Sequence, residues 1–192
     1  MKVLITYALD EEWAGATLAG CETLSLRTGV GKVASAARLM QALMQSEPDL
    51  VVNVGTAGTV RHDVGTVMVC DRFIDRDMKV AALPGIDWTI DCGASVMRHL
   101  SPSCRLLRGS CNTGDSFVTV VSDDADDMYD MEAYAQAYVC RMLGTPFFAI
   151  KYATDKIGQN SVKHWEEKLA DARRALAELF AAGDIVALPE QS

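Results

Sequence analysis

Short apolar runs alternate along the chain with longer segments in which apolar residues have helical spacing. Runs rich in β-branched and aromatic residues occupy positions 2–9, 49–60 and 146–155. Each has the length of a strand and lacks the strict alternation of a half-exposed one. The pattern therefore predicts strands that are buried on both faces of a sheet.

Helical periodicity is clearest at 32–45 and 161–182, and shorter helices are predicted at 94–100 and 132–142. In the helix predicted at 32–45, the buried face consists of Val33, Ala36, Ala37, Met40 and Leu43. In the last, the predicted stripe consists of Val162, Trp165, Leu169, Ala172, Leu176 and Phe180, with Asn160 as N-cap and Gly183 as the stop.

Further strands are predicted at 22–31, 64–74 and 78–83, with a strand, a turn and another strand over 104–118. Strands that alternate with helices and are apolar on both faces indicate a three-layer α/β architecture. We therefore expect a single domain over residues 1–192, in which 186–192 form a tail.

Composition narrows the functional classes. The 192 residues include 18 Lys and Arg against 26 Asp and Glu, a net charge of −8, which disfavours binding to nucleic acid. No apolar run approaches the roughly 20 residues of a membrane span. The six cysteines include no C-x-x-C pair and the three histidines are far apart, so we expect no metal site and a cytoplasmic location with reduced thiols. No organic cofactor is implied either.

Two glycine-rich turns are candidate ligand sites. "TGVGK" at 28–32 lacks the first glycine and the Ser or Thr of a phosphate-binding loop. "NVGTAG" at 53–58 ends a buried strand, and its spacing fits a structural turn and a polar ligand contact equally well. The acidic run at 122–127 lacks the glycine and glutamate of a calcium loop.

Carboxylates recur at the ends of buried strands. "ALDEE" follows the first strand, "YATD" ends the last one, and Glu132 stands at the start of a predicted helix. Because strands of such a sheet deliver their carboxyl ends to one rim, these acids are expected to lie near one another. Each alone also fits a solvated loop residue, and Glu132 also fits a first-turn acid.

The ordered set of motifs resembles the nucleoside phosphorylase and nucleosidase superfamily, and within it the 5′-methylthioadenosine/S-adenosylhomocysteine nucleosidases. The resemblance covers nearly the whole chain through "ALDEEW", "TGVGKVASA", "VNVGTAG", "DVGTVMVCDRF", "GDSFV", "YDMEAYAQAYVC" and "FFAIKYATD". It implies a three-layer αβα sandwich with a central mixed β-sheet, a homodimer, and hydrolysis of the N-glycosidic bond of purine nucleosides with release of adenine.

The resemblance also implies residue roles. Glu12 matches the acid that positions and deprotonates the attacking water, and Thr56 a hydroxyl residue near that water. Asp155 matches the general acid that protonates N7 of adenine, for which burial would raise its pKa in the useful direction. Lys151 stands where the family usually has an arginine that assists the water site.

Four more positions match residues that hold the substrate. Phe117 corresponds to the aromatic that stacks on the purine, and the main chain of Val118 reaches the purine edge. Glu132 corresponds to the glutamate that holds the ribose 2′- and 3′-hydroxyls, and Met131 lies against the sugar. Superfamily phosphorylases carry a Gly-Asp-Pro-x-Arg loop near the first strand, whereas this chain has the acidic "YALDEE".

Two departures from the family pattern and two alternative functions remain. The connections through 75–115 are short, which leaves the 5′ substituent of the substrate open. "DRFIDRDMKV" also lacks the family's usual histidine. A phosphorylase or a nucleosidase for another purine nucleoside is the alternative enzyme. A non-catalytic nucleoside-binding domain is the alternative from another class.

Overall fold

The computed structural model describes residues 1–120, 126–159, 161–183 and 185–187. Its elements, in chain order, are β1 (Lys2–Tyr7), β2 (Glu22–Arg27), α1 (Lys32–Ser46), β3 (Leu50–Thr59), β4 (Val67–Asp75), α2 (Arg76–Ala81), β5 (Thr89–Asp91), α3 (Gly93–His99), β6 (Leu107–Thr113), β7 (Met128–Asp130), α4 (Ala133–Leu143), β8 (Phe147–Lys156) and α5 (Ser161–Ala181). The helices of this part of the chain are too short or too polar to cross a bilayer.

The strands form one mixed sheet that closes partly on itself. β1 runs parallel to β2 and β3, and β3 runs parallel to β8. β8 is antiparallel to β4, β4 and β6 are parallel, and β6 is parallel to β7, which pairs back to β3. β3, β8, β4, β6 and β7 therefore form a ring, which the sequence pattern did not predict.

Helices cover both faces of this sheet. On β8, Phe147, Ala149 and Ala153 belong to the core that includes side chains of α1 and α4. The intervening Phe148, Ile150 and Tyr152 belong to the core that includes side chains of α3 and α5. Alternate residues of one strand thus serve opposite layers, as expected for a strand buried on both faces. The predicted three-layer fold with a mixed central sheet is confirmed.

Two local predictions between β4 and β7 were wrong. Residues 78–83, predicted as a strand, lie largely in α2, where the Asp75 carboxylate caps the helix by accepting from the N–H groups of Asp77 (3.1 Å) and Met78 (3.2 Å). A short apolar run does not distinguish a strand from one helical turn, whereas the cap does. Residues 104–118 hold one strand, β6, followed by a loop.

The buried face of α1 also differs from the predicted one. Ser35, Leu39 and Leu43 are buried, whereas Val33 is 80% exposed. Helical spacing fixes that a stripe exists, but rotation of the helix by a fraction of a turn changes which row faces the sheet. Part of the predicted face therefore lies on the surface beside α4.

The C-terminal prediction is partly confirmed. Ala172, Leu176 and Phe180 of α5 are buried, as the stripe predicted. The proposed cap Asn160 lies outside the described residues, as do 188–192 of the predicted tail. Val186, the first residue of that tail, is buried and forms a bridge with Leu100, so the chain is still packed against the domain at this point.

Candidate active site

One cavity of about 190 Å³ lies at the ends of β1, β3, β7 and β8. Seven of the eight residues singled out in the sequence line it, namely Glu12, Thr56, Phe117, Val118, Met131, Glu132 and Asp155. The carboxylates of Glu12, Glu132 and Asp155 come from three distant segments and are each at most 7% exposed. The expected convergence of strand-end acids is thus present.

Glu12 is held by hydrogen bonds on both carboxylate oxygens. Its Oε1 accepts from the Thr56 backbone N–H at 3.0 Å and from the Thr56 hydroxyl at 2.5 Å. Its Oε2 accepts from the Leu9 N–H at 3.2 Å. These three donors fix the orientation of the Glu12 carboxyl group on the cavity wall.

Trp165 extends this network, although the sequence pattern assigned it only to the buried stripe of α5. Its indole N–H donates to the Thr56 hydroxyl oxygen at 3.0 Å. That oxygen therefore accepts from Trp165 and donates its proton to Glu12. The sequence offered one signal of this role, since a buried indole N–H usually needs a hydrogen-bond acceptor. The helical periodicity alone favours a packing role for Trp165.

Asp155 reaches the cavity through an irregularity in the sheet. The register between β3 and β8 shifts after Ala57, so Gly58 stands opposite Asp155 rather than Thr154. A Cβ on Gly58 would lie 3.1 Å from Asp155 Oδ2, so glycine leaves room for the carboxyl group. The Thr154 hydroxyl donates to Asp155 Oδ1 at 2.9 Å, and the side chain is 1% exposed. The bulge thus aims a buried acid into the cavity.

Glu132 precedes α4 but does not cap it. Asp130 performs that role, since its Oδ2 accepts from the Ala133 N–H at 2.9 Å. The Glu132 carboxylate is left to face the cavity and accepts from the Gly31 N–H at 2.8 Å. Burial, and then the nearby Asp130 carboxylate, raise the pKa of Glu132 to about 8.

Lys151 is the predicted site residue that the structure does not place in the cavity wall. Its Nζ lies 2.8 Å from Asp130 Oδ2, and the side chains are 2% and 1% exposed. Burial acts to lower the pKa of Lys151, but Asp130 outweighs it and the pKa is raised. Burial acts to raise the pKa of Asp130, but Lys151 outweighs it and that pKa is lowered. Lys151 therefore supports the segment that carries Met131 and Glu132.

Other lining residues had not been singled out, among them Leu9, Val30, Arg76, Tyr129, Ile157 and Trp165. Most are apolar and follow strand ends, where a sequence gives no sign of which side chains face a ligand. Within the described ranges, no group of three or more His, Cys, Asp or Glu side chains is placed to hold a metal ion.

Comparison with known proteins gives this cavity a context. A profile of the phosphorylase superfamily matches residues 15–185. A 5′-methylthioadenosine/S-adenosylhomocysteine nucleosidase of Bacillus pumilus is 27% identical over 215 residues, with 90% of this chain and 93% of the relative covered. The nucleosidase of that name from Bacillus thuringiensis is 29% identical over 184 residues, with 84% and 80% covered.

A solved structure extends the likeness to three dimensions. The nucleosidase of this name from Colwellia psychrerythraea, solved in complex with adenine, superposes with a TM-score of 0.78 at 24% identity, with 97% of this chain and 96% of that chain covered. The fold and the resemblance drawn from the sequence motifs are confirmed. The chain belongs to the phosphorylase superfamily.

Proposed function

We propose that the protein hydrolyses the N-glycosidic bond of purine nucleosides such as 5′-methylthioadenosine and S-adenosylhomocysteine and releases adenine. One observation carries the proposal, namely that Glu12, Glu132 and Asp155 line a single cavity. The names of the curated relatives at 27% and 29% identity support the same activity.

The geometry suits the chemistry of this bond. It breaks through a transition state in which the sugar resembles an oxocarbenium ion, and adenine leaves poorly as an anion. We assign Asp155 as the general acid at N7, because it is a buried carboxyl group held by Thr154. Such a group contributes roughly 10² to 10⁴ in rate. The Glu12 carboxylate stabilises the cationic sugar as it forms.

Glu12 is assigned to the attacking water. Its carboxylate is fixed by Thr56 and Leu9, so it is oriented before a water binds. A carboxylate that accepts a proton from this water makes it a better nucleophile. The Thr56 hydroxyl holds Glu12 in place and lies beside the position proposed for the water.

The remaining assignments concern binding. Glu132 holds the ribose diol, with Met131 against the sugar, because both stand on the wall formed by β7 and the start of α4. Phe117 and the Val118 main chain face the purine from the loop after β6. Phe117 is 40% exposed, so a stacked purine would cover part of its ring.

Water rather than phosphate fits the charge of this cavity. Of the described lining residues, Arg76 is the cationic one, and its guanidinium donates to backbone carbonyls. Lys151 is neutralised by Asp130 behind the wall. A phosphate dianion would therefore meet the Glu12 carboxylate without a free cation beside it.

The test is a nucleoside panel of methylthioadenosine, S-adenosylhomocysteine, adenosine and inosine, incubated with and without phosphate and separated by chromatography. We expect adenine and a free sugar at equal rates in both conditions. Release that requires phosphate, with a sugar 1-phosphate as product, would establish the phosphorylase alternative. Binding without release would establish the non-catalytic alternative.

We also propose a homodimer in the cytoplasm. The groove between α1, α2 and α4 exposes apolar side chains, including Val33 (80% exposed) and Tyr138 (44%). All six cysteines are free thiols, which suits a reducing compartment. Sedimentation should give a dimer that Tyr138→Glu dissociates. Met97→Glu, on the exposed side of α3, is the control, and a wild-type monomer would contradict the dimer.

A further inference from the structure

Arg76, the first residue of α2, donates hydrogen bonds to four backbone carbonyl groups. Its Nη1 donates to Asn112 O at 2.9 Å and to Asp130 O at 3.0 Å. Its Nη2 donates to Gly114 O at 2.9 Å and also to Ser116 O. A guanidinium is one of the few groups with enough coplanar donors for such an arrangement.

These acceptors belong to two different walls of the cavity. Gly114 and Ser116 lie in the loop that leads directly to Phe117, assigned above to the purine. Asp130 immediately precedes Met131 and Glu132, assigned to the sugar. Arg76 thus connects the purine wall with the ribose wall through a single rigid group, and it lines the cavity itself.

The packing around Gly114 shows how closely this group is seated. A Cβ at position 114 would lie 2.6 Å from Arg76 Nε and 2.7 Å from Arg76 Cγ. Both distances are shorter than those that Cβ atoms show in proteins. Glycine at this position lets the loop lie directly against the guanidinium. The contact therefore depends on both residues.

A second set of bonds secures the same loop to the start of α1. The Asp115 carboxylate accepts from the Lys32 N–H at 2.7 Å, and the Asp115 N–H donates to Asp77 Oδ2 at 3.1 Å. The Lys32 ammonium bridges Asp77 (2.7 Å) and Asp75 (2.9 Å). Gly31, next to Lys32, donates to Glu132. The purine loop is thereby linked to the ribose wall from both sides.

We propose that Arg76 is a positioning residue that fixes the purine wall relative to the ribose wall, and so sets the orientation in which the glycosidic bond meets Asp155. This inference rests on the proposed function. A lysine at position 76 would keep the charge but could not satisfy four carbonyls in one plane. A nucleoside, which spans both walls, should therefore depend on Arg76 more than free adenine, which contacts one.

The test compares Arg76→Lys with the wild type and with Arg108→Lys, in which an arginine bound to Asp71 at the far end of β6 is changed. We expect KM for methylthioadenosine to rise about tenfold more than the inhibition constant of adenine in Arg76→Lys, because the bonds that align the walls are lost. Arg108→Lys should leave both constants unchanged. Equal changes in both constants for Arg76→Lys, or none, would overturn the proposal.

A second variant covers the case in which Arg76→Lys does not fold. Gly114→Ala keeps the arginine but displaces it, and it should produce the same preferential loss for the nucleoside. Wild-type protein that binds methylthioadenosine but does not release adenine would refute the proposed function alone. Calorimetry with methylthioadenosine and adenine would then decide the role of Arg76, and absence of binding to both would refute the two proposals together.

Discussion

Lys151 and Asp130 form an ion pair of 2.8 Å directly behind the cavity wall that Met131 and Glu132 line, and both side chains are at most 2% exposed. Asp130 also accepts from the Thr113 hydroxyl at 2.6 Å and from the Ala133 N–H. The carboxylate is therefore saturated with donors from β6, α4 and β8. This pair fixes the turn that presents Met131 and Glu132 to the cavity.

Lys151→Met should lower the free energy of unfolding by about 3 to 5 kcal/mol, because it leaves the buried Asp130 carboxylate without its cation. Adding Asp130→Asn should restore much of this loss, since the remaining group is then neutral. Urea denaturation of the two single variants and the double variant measures the coupling. Additive effects of the two changes would show that the pair is not coupled.

Asp155→Asn should reduce adenine release by roughly 10² to 10⁴ while nucleoside binding is largely retained, because the amide keeps the shape but cannot supply the proton. Single-turnover assays and calorimetry measure the two quantities separately. Asp63→Asn is the control, as the Asp63 side chain is 99% exposed. Full activity of Asp155→Asn would remove the acid role.

Glu12→Gln should suppress hydrolysis by a similar factor, roughly 10² to 10⁴. The glutamine oxygen can still accept from Thr56, but the side chain can no longer accept a proton from water. Circular dichroism checks that the fold is intact, and Glu11→Gln, at an exposed neighbouring position, is the matched control. Unchanged turnover in Glu12→Gln would mean that the water is activated elsewhere.

Glu132 should make the protein less stable as pH rises from about 4.5 to about 8, the interval between its ordinary pKa and the raised one. Over this interval the native state holds a proton that the unfolded chain has released, so the free energy of unfolding falls with pH. Glu132→Gln should remove this pH dependence. Above pH 8 its free energy of unfolding should exceed that of the wild type by a few kcal/mol. Parallel pH profiles of the two proteins would contradict the raised pKa.

Trp165→Phe should lower kcat severalfold, since the Thr56 hydroxyl loses the donor that fixes its orientation toward Glu12, a bond of about 1 kcal/mol. The phenyl ring keeps most of the apolar contact. Trp88→Phe, outside the lining of the cavity, is the control and should leave kcat unchanged. Equal activity of both variants would restrict Trp165 to packing.

The convergence of the acids could be predicted because Glu12 follows one buried strand and Asp155 lies at the end of another, and such strand ends share one rim. The burial of Lys151 was also implied by alternation, since it shares its face of β8 with Ala149 and Ala153, which pack toward α4. The resemblance alone assigned it to the water. Once a strand has been identified, the alternation of its residues thus determines the face of the sheet on which each side chain lies.

Arg76 and Trp165 could not be predicted in the same way. Their partners are backbone carbonyls and a hydroxyl on other elements, and such contacts depend on how helices are placed against the sheet. The ring of five strands escaped prediction for a related reason, because β3 and β4 each pair with three other strands, and the apolar pattern of a strand does not identify its partners. Periodicity reports which face of an element is apolar but not which element covers it.

The shifted register at Gly58 sets stability against activity at a single position. Removal of the extra residue at Thr154 would favour a regular ladder and better backbone pairing between β3 and β8. The same change would turn the Asp155 carboxyl group, proposed above as the proton donor, away from the cavity. Selection for higher thermal stability should therefore yield variants at this junction that are inactive, with the rest of the fold undisturbed.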